Sequence, residues 1–223
     1  MKSKKLKKWT TLLTCATALT VMTACSQSSS QSTGTTSSTT SKTSAVTATT
    51  SKKTNKSNSN YFTSKDSDTS YNESSATKIK LSGSSADVSG DGAALSGSTV
   101  TISKAGTYVI SGKSDGVQIK VDAGDSDDVH IVLDGATMTN TNAAINATKA
   151  GHVYLTLKDG TTNTLSDSSS NSDEDADAVI FSKGDLTING SGTLNIDAKK
   201  NNGIKANDSL HMTGGTYKIS SVG

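Results

Sequence analysis

The chain has 223 residues, with 22 lysines, no arginine, 20 acidic residues and a formal net charge of +2. Five of the lysines lie before residue 9, which leaves 17 lysines against 20 acidic residues in the remainder. The chain beyond these lysines is therefore mildly acidic and has no basic patch, so we do not expect nucleic acid as a partner.

Residues 1–24 predict an export signal, because a start with five lysines precedes an apolar stretch over residues 10–24. That stretch is too short and too rich in threonine for a transmembrane helix. It ends in Val21-Met22-Thr23-Ala24-Cys25, which resembles the lipobox of bacterial lipoproteins. The resemblance implies that Cys25 carries acyl chains such as palmitate and anchors the protein to the outer face of the membrane. The alternative is an ordinary cleaved signal.

Residues 25–76 are rich in serine, threonine, lysine and asparagine and contain almost no aliphatic side chains. Such a segment cannot bury enough apolar surface to offset the entropy of ordering, so we expect a disordered tether. A flexible linker of this length has an r.m.s. span of about 40 Å. It would hold a folded domain, expected over residues 77–223, away from the membrane and within the cell wall.

Aliphatic side chains return every 24 residues in the second half of the chain. Val129, Ile131 and Leu133 return as Val153, Leu155 and Leu157, and residues 186 and 188 return at 210 and 212. Short alternating strands at a fixed period, separated by Gly, Asn and Asp, are typical of a solenoid whose successive turns stack to form one core. We therefore predict an all-β parallel β-helix with about 24 residues per turn.

The expected strands follow in chain order from opening strands at 99–103, 107–111 and 117–121. The first full turn is expected at 129–133, 136–140 and 144–147, the second at 153–157, 162–165 and 178–182, and the third at 186–189, 193–197 and 203–205. A fourth turn starts at residue 210. Nothing in this region has helical spacing.

Strand alternation predicts which side chains face outward. One outward column contains His130, Tyr154, Thr187 and His211. Together with Lys158, its His130, Tyr154 and His211 side chains are candidates for binding a sugar ring; the alternative is an ordinary exposed sheet face. A second column contains Asn142, Asp177 and Asn201, and it either satisfies turn backbone groups or, for Asp177, has a metal or sugar role.

An insertion at residues 166–177 concentrates five acidic side chains in one loop, here called the acidic loop. They are Asp167, Asp173, Glu174, Asp175 and Asp177. Crowded carboxylates are unfavourable without a cation, and oxygen ligands of this kind suit Ca²⁺. The spacing is not that of an EF-hand, so the alternative is a solvated loop that binds nothing.

The sequence makes no case for catalysis. None of His130, His152 and His211 lies in a nucleophile motif, and the absence of arginine removes the base that many pectate lyases use. A lysine such as Lys158, Lys183 or Lys205 would have to act as the base in a calcium-dependent polysaccharide lyase, which is the main alternative function.

Several motifs together resemble a family of bacterial exported β-helix proteins described as carbohydrate-binding domains. They lie at 106–112, 129–135, 160–167, 173–175, 185–192 and 202–205. The resemblance implies a calcium-bearing, right-handed parallel β-helix similar to polysaccharide lyases. It also implies binding of cellulose-like or acidic polysaccharides.

Family members usually continue for several more turns, whereas this sequence stops within the fourth. We therefore expect a truncated or incomplete chain whose open end is prone to self-association. The resulting hypothesis is a lipid-anchored surface protein whose calcium-stabilised β-helix binds polysaccharide without catalysis. A lyase is the first alternative, and an adhesin or structural surface protein is the second.

Overall fold

The computed structural model describes residues 44–47, for their backbone, and residues 61–222. The predicted signal, Cys25 and most of the expected tether lie outside these residues. The described part is all-β apart from one short 3-10 helix at Ser64–Ser67. It contains no helix that is both long and apolar enough to cross a membrane.

The strands run in chain order as follows: β1 Ser44–Thr47, β2 Thr77–Gly83, β3 Ser85–Ser89, β4 Ala93–Ser96, β5 Thr99–Ile102, β6 Gly106–Asp115, β7 Gln118–Asp122, β8 Asp128–Thr139, β9 Ile145–Lys149, β10 His152–Leu157, β11 Thr162–Ser166, β12 Ala178–Ser182, β13 Asp185–Gly190, β14 Thr193–Ala198, β15 Asn202–Ala206, β16 Leu210–Met212 and β17 Thr216–Ser221.

Two mixed, mostly parallel sheets share these strands. The first has the order β1-β17-β14-β11-β8-β10-β13-β16, with β6 also paired to β8 and β2 paired to β3 and β6. The second has the order β15-β12-β9-β7-β5-β4. The pairs β1–β17, β2–β3 and β4–β5 are antiparallel, and the other pairs are parallel. The predictions of an all-β fold and of parallel pairing between successive repeats are confirmed.

The aliphatic columns predicted from the 24-residue period lie in register. Val129 pairs with Val153, Val153 with Leu186, and Leu186 with Leu210. Two residues further along, Ile131, Leu155, Ile188 and Met212 pair in the same way. All of these side chains are buried except Leu210 and Met212, which are 40% and 36% exposed at the end of the strand order.

The long strand β8 joins two parts of the first sheet. Its start, Asp128–Leu133, pairs with β10, and its end, Thr137–Thr139, pairs with β11. Gly135 lies between them with a φ of +70°, a conformation that favours glycine. The strands expected separately at 129–133 and 136–140 are therefore one strand with a bend.

A buried asparagine stabilises the corner beside this bend. The Asn163 side-chain oxygen accepts a hydrogen bond from the Ala136 N–H at 2.8 Å, and its amide nitrogen donates to the Thr193 carbonyl at 3.3 Å. Gly190, the last residue of β13, forms the matching corner with a φ of +97°. A Cβ at Gly190 would lie 2.2 Å from the Leu157 carbonyl oxygen, so only glycine permits this approach of the two backbones.

Candidate functional site

A segment before the sheets crosses the outer face of the first sheet. Residues 61–71, here called the N-terminal strap, contain the 3-10 helix Ser64–Ser67, which packs against β13. The sequence places these residues in the tether, whereas the structure places them over the column predicted to bind sugar. The strap therefore changes which surfaces a ligand can reach.

Asp66 of the strap is buried against the sheet. Its carboxylate accepts hydrogen bonds from the Thr187 hydroxyl at 2.6 Å and from the Thr63 backbone N–H at 2.7 Å, and His211 Nδ1 lies 3.2 Å away. Burial by itself raises the pKa of Asp66, but these hydrogen bonds outweigh it and hold the pKa well below its ordinary value. Asp66 is thus a charged group that fastens the strap to β13 and lies beside His211 of β16.

The backbone of the strap also binds to outward side chains of the sheet. The Asn189 amide donates to the carbonyl oxygens of Asp66 and Asp68 at 3.2 and 3.0 Å. The Asn189 side-chain oxygen accepts from the Thr156 hydroxyl at 2.6 Å, and Thr156 in turn lies 2.7 Å from His130 Nε2. These polar groups are therefore satisfied within the chain.

Aromatic and cationic contacts complete the cover. Phe62 meets His211 edge-on at 5.1 Å between ring centroids, and the Lys65 ammonium lies 4.8 Å from the centroid of Tyr154. Tyr154 is only 9% exposed and stacks on His152 at 4.1 Å. The structure thus brings His130, Tyr154 and His211 onto one face, as predicted. The strap crosses that face and leaves an open pocket of about 260 Å³ beside His130 and Tyr154.

Lys158, the fourth predicted sugar-binding residue, pairs with Asp134 at 2.6 Å. The hydrogen bond to Asp134 raises the pKa of Lys158. A lysine held in its ammonium form has no lone pair to accept a proton, which argues against Lys158 as a lyase base. Lys205, another candidate base, is paired with Asp177 at 2.6 Å.

Acidification is expected to lower the melting temperature of the protein. Burial lowers the pKa values of His130 and His152 below the ordinary value of about 6.5. The unfolded chain therefore binds protons more readily than the folded chain does. The neutral histidines contribute their full stabilisation of the fold above about pH 6.5, and this contribution is lost as the pH falls towards their lowered pKa values.

Thermal melts at about pH 7.5 and about pH 5.5 check this expectation, since that interval spans the histidine range. The double variant His130→Gln, His152→Gln serves as the control, because its melting temperature should vary less with pH. A melting temperature of the unchanged protein that is equal or higher at the lower pH would contradict the assignment.

The acidic loop does not gather its carboxylates around one point. Asp167 is buried and accepts from the Lys199 N–H at 2.6 Å, while Asp173 accepts from the Ala176 N–H at 3.0 Å. Asp177 pairs with Lys205, and Glu174 and Asp175 are exposed. Within residues 61–222, no group of three or more His, Cys, Asp or Glu side chains is placed to hold a metal ion. In this conformation, the five carboxylates do not fit a single calcium cage.

Of the column of Asn142, Asp177 and Asn201, Asn142 satisfies a backbone group of the acidic loop, whereas the Asp177 carboxylate is bound by side chains. Asn142 accepts from the Ser172 N–H at 3.4 Å, and Asp177 accepts from the Asn202 amide at 3.3 Å as well as from Lys205. These contacts hold the acidic loop beside the second sheet.

The acidic loop and the second sheet border an open groove of about 400 Å³, here called the second-sheet groove, whose lining residues are mostly polar. Ala176 of the loop packs with Ala143, Ala178 and Phe181, which fixes the loop against β12. The groove is lined by Asn146, Thr148, Asp173, Asp175, Ala176, Phe181, Lys183 and Asn207. Asn146 and Phe181, which pair in register on neighbouring strands, were not predicted as site residues from the sequence.

Comparison with known proteins identifies the family. Residues 96–223 match the family described as "Carbohydrate-binding domain-containing protein". The chain belongs to this family. A carbohydrate-binding domain-containing protein of Acetivibrio thermocellus is 38% identical over 135 residues, which are 58% of this chain and 47% of the relative. The chain thus spans about half the length of that relative.

A solved structure is also similar. It is described as the polysaccharide lyase-like protein from C. thermocellum, a gadolinium derivative. The match has a TM-score of 0.62 and 35% sequence identity, and it covers 65% of this chain and 61% of that chain. The resemblance to carbohydrate-binding proteins predicted from the sequence is therefore confirmed for this family member.

Proposed function

We propose that this protein binds extracellular polysaccharide without catalysis. The observation that carries the proposal is membership of the carbohydrate-binding domain family over residues 96–223. The open second-sheet groove supports it, because polar groups from the sheet and from the acidic loop converge there beside an aromatic ring. The predicted sugar column on the first sheet is a poorer candidate, since the strap crosses it and leaves a smaller pocket of about 260 Å³ there.

The layers of parallel strands are best interpreted as turns of a right-handed parallel β-helix. Strands β8, β10, β13 and β16 stack in register on one side, and β7, β9, β12 and β15 stack on another. Stacked turns present long polar faces that suit extended ligands. Self-association through the exposed Leu210 and Met212 stays a prediction.

The protein is proposed to act at the cell surface. The export signal and the lipobox-like sequence before Cys25 support a lipid anchor on the outer face of the membrane. Because Cys25 lies outside the described residues, the test is biochemical. Incorporation of labelled palmitate should be lost in Cys25→Ala and retained in Cys15→Ser.

Affinity electrophoresis of the processed chain through gels containing soluble polysaccharides tests binding. We expect retarded migration on at least one neutral or acidic glycan, with bovine serum albumin as the unretarded control. Equal migration across the panel would contradict the proposal and favour an adhesin or structural role.

A polysaccharide lyase is the second candidate, because the similar solved structure is described as lyase-like. A lyase creates unsaturated ends that absorb ultraviolet light. We expect no increase in absorbance when the protein is incubated with polygalacturonate and calcium. A calcium-dependent increase that persists in Lys158→Ala but is lost in Lys183→Ala would overturn the proposal and identify the base.

Calcium binding at the acidic loop stays a prediction. A ligand bound only by the folded state raises stability, so a chelator should lower the melting temperature if calcium is present. The double variant Asp173→Asn, Asp175→Asn should remove this difference if the loop provides the oxygen ligands. A melting temperature that the chelator leaves unchanged would contradict calcium binding.

A further inference from the structure

The N-terminal strap lies on a group of side chains, here called the donor set, on β13 and at β16. The set consists of Thr187, Asn189, His211 and Thr213. The Asp66 carboxylate accepts from the Thr187 hydroxyl at 2.6 Å and lies 3.2 Å from His211 Nδ1. The Asp66 carbonyl oxygen accepts from the Asn189 amide at 3.2 Å and from the Thr213 hydroxyl at 2.5 Å. Asp66 therefore presents two kinds of acceptor to one group of donors.

The sheet occupies the acceptor atoms of the two central members of the donor set. The Asn189 side-chain oxygen accepts the Thr156 hydroxyl hydrogen at 2.6 Å, which leaves its amide hydrogens for the strap. The Thr187 hydroxyl donates to Asp66, so the 2.8 Å contact of its oxygen with His152 Nε2 is a hydrogen bond that the histidine donates. Both side chains thus direct donors towards the strap, and a carboxylate is the ligand group that such donors bind most strongly.

The environment of Asp66 also favours the charged form of a carboxyl group. Burial raises the pKa of Asp66, but the hydrogen bond from Thr187, those from Thr63 within the strap and the contact with His211 together lower it well below its ordinary value. Two of these stabilising groups belong to the sheet and stay in place when the strap leaves. The sheet therefore retains part of a carboxylate-binding site without the strap.

The strap is attached to the sheet with little apolar burial. Among residues 61–70 only Asp66 is buried, and the large apolar side chain of Phe62 is 44% exposed. At the end of the strap, Tyr71 packs against a small apolar cluster and keeps that end in place. A segment with few buried apolar contacts opens locally at a lower free energy than the core does. The strap can therefore lift from the donor set while the sheets stay folded.

We propose that the strap is an autoinhibitory contact in which Asp66 occupies the donor set as an internal ligand. When the strap opens, the carboxylate of an acidic sugar unit takes the place of Asp66. The unit then lies beside Tyr154, which pairs in register with Thr187 and which the Lys65 ammonium of the strap covers. This inference rests on the proposed polysaccharide binding and adds a second, masked site to the second-sheet groove.

Titration calorimetry on the processed chain tests the exchange, with oligogalacturonate as the probe. We expect Asp66→Ala to raise the affinity at least about 10-fold, because the strap no longer competes for the donor set. Asp68→Ala is the matched control, since its side chain is exposed and its backbone carbonyl, which accepts from Asn189, is retained. Its affinity should equal that of the unchanged protein.

A second substitution separates binding at the donor set from the mere loss of a negative charge. Adding Thr187→Val to Asp66→Ala should weaken oligogalacturonate binding about 10-fold or more, as for the loss of one hydrogen bond to a charged group. A neutral gluco-oligosaccharide serves as the second probe and reports on folding, because its affinity for the second-sheet groove should stay within about 3-fold in every variant.

Two results would overturn the inference while leaving the proposed function intact, provided that the unchanged protein retains a glycan. One is an Asp66→Ala variant whose affinity for oligogalacturonate does not rise. The other is a rise that persists in full after Thr187→Val, which would assign it to charge alone. Absence of glycan binding by the unchanged protein and by every variant would overturn the proposed function as well.

Discussion

Replacing Leu155 with alanine is expected to lower the free energy of unfolding by about 2–5 kcal/mol. Leu155 lies in β10 between Ile131 of β8 and Ile188 of β13, and its side chain is buried in the shared core. The substitution removes apolar contacts and leaves a cavity that the hydrogen-bonded backbones on both sides cannot close. The effect is large because each stacked layer depends on its two neighbours for burial.

Denaturant unfolding followed by circular dichroism measures this loss. Thr162→Ala is the control, because Thr162 belongs to β11 in the same sheet but has an exposed side chain. Its effect should stay within about 0.5 kcal/mol. A similar small loss for Leu155→Ala would mean that the aliphatic columns do not form the stabilising core.

Replacing Asp66 with alanine is expected to release the N-terminal strap. The substitution removes the acceptor of hydrogen bonds from Thr187 and Thr63 and leaves the Thr187 hydroxyl in a buried position. Loss of a buried charged acceptor costs at least about 1–3 kcal/mol, which is comparable to the interactions that a short strap can provide. We therefore expect faster amide hydrogen exchange over residues 61–71 and on the sheet face beneath them.

Hydrogen exchange read by mass spectrometry resolves this response. Asp68→Ala is the matched control in the same strap, since the Asp68 side chain is exposed and, among the described residues, accepts hydrogen bonds from the neighbouring Ser70. Unchanged protection of residues 61–71 in Asp66→Ala would show that the strap is held by its other contacts. In that case the covering of the first sheet would not depend on the buried carboxylate.

The stacking of strands could be predicted because aliphatic and outward-facing residues alternate along each strand. Val129, Ile131 and Leu133 alternate with outward residues, and the same pattern returns at a fixed interval, so a one-residue slip would expose every aliphatic side chain. The bend at Gly135 was harder to predict, since a glycine between two short strands equally suits a turn. The chain continues through it as one strand.

The strap could not be predicted in the same way. Residues 61–71 have few aliphatic side chains and no periodicity, so composition favours disorder. Their order comes from Asp66 and from backbone carbonyls that meet polar side chains more than 100 residues away in the sequence. A single carboxylate among many polar residues carries no recognisable signal for such a contact.

The candidate groove was missed for a different reason. Phe181 lies in a continuous apolar run, Val179-Ile180-Phe181, where strand alternation is hidden and the outward position cannot be identified. The acidic loop is evident in the sequence from its charge, but its position over β12 follows from Ala176 packing onto Phe181. The groove exists only when these distant segments come together.

The most direct test of whether the second-sheet groove is the sugar site is hydrogen exchange of the processed chain, with and without an oligosaccharide that it retains in affinity electrophoresis. We expect the ligand to increase protection in residues 143–149 and 173–183, which border the second-sheet groove, and to leave residues 128–134 and 152–157 unchanged. Protection confined to those first-sheet strands, together with faster exchange over residues 61–71, would contradict this assignment. The sugar site would then lie on the face beneath the strap.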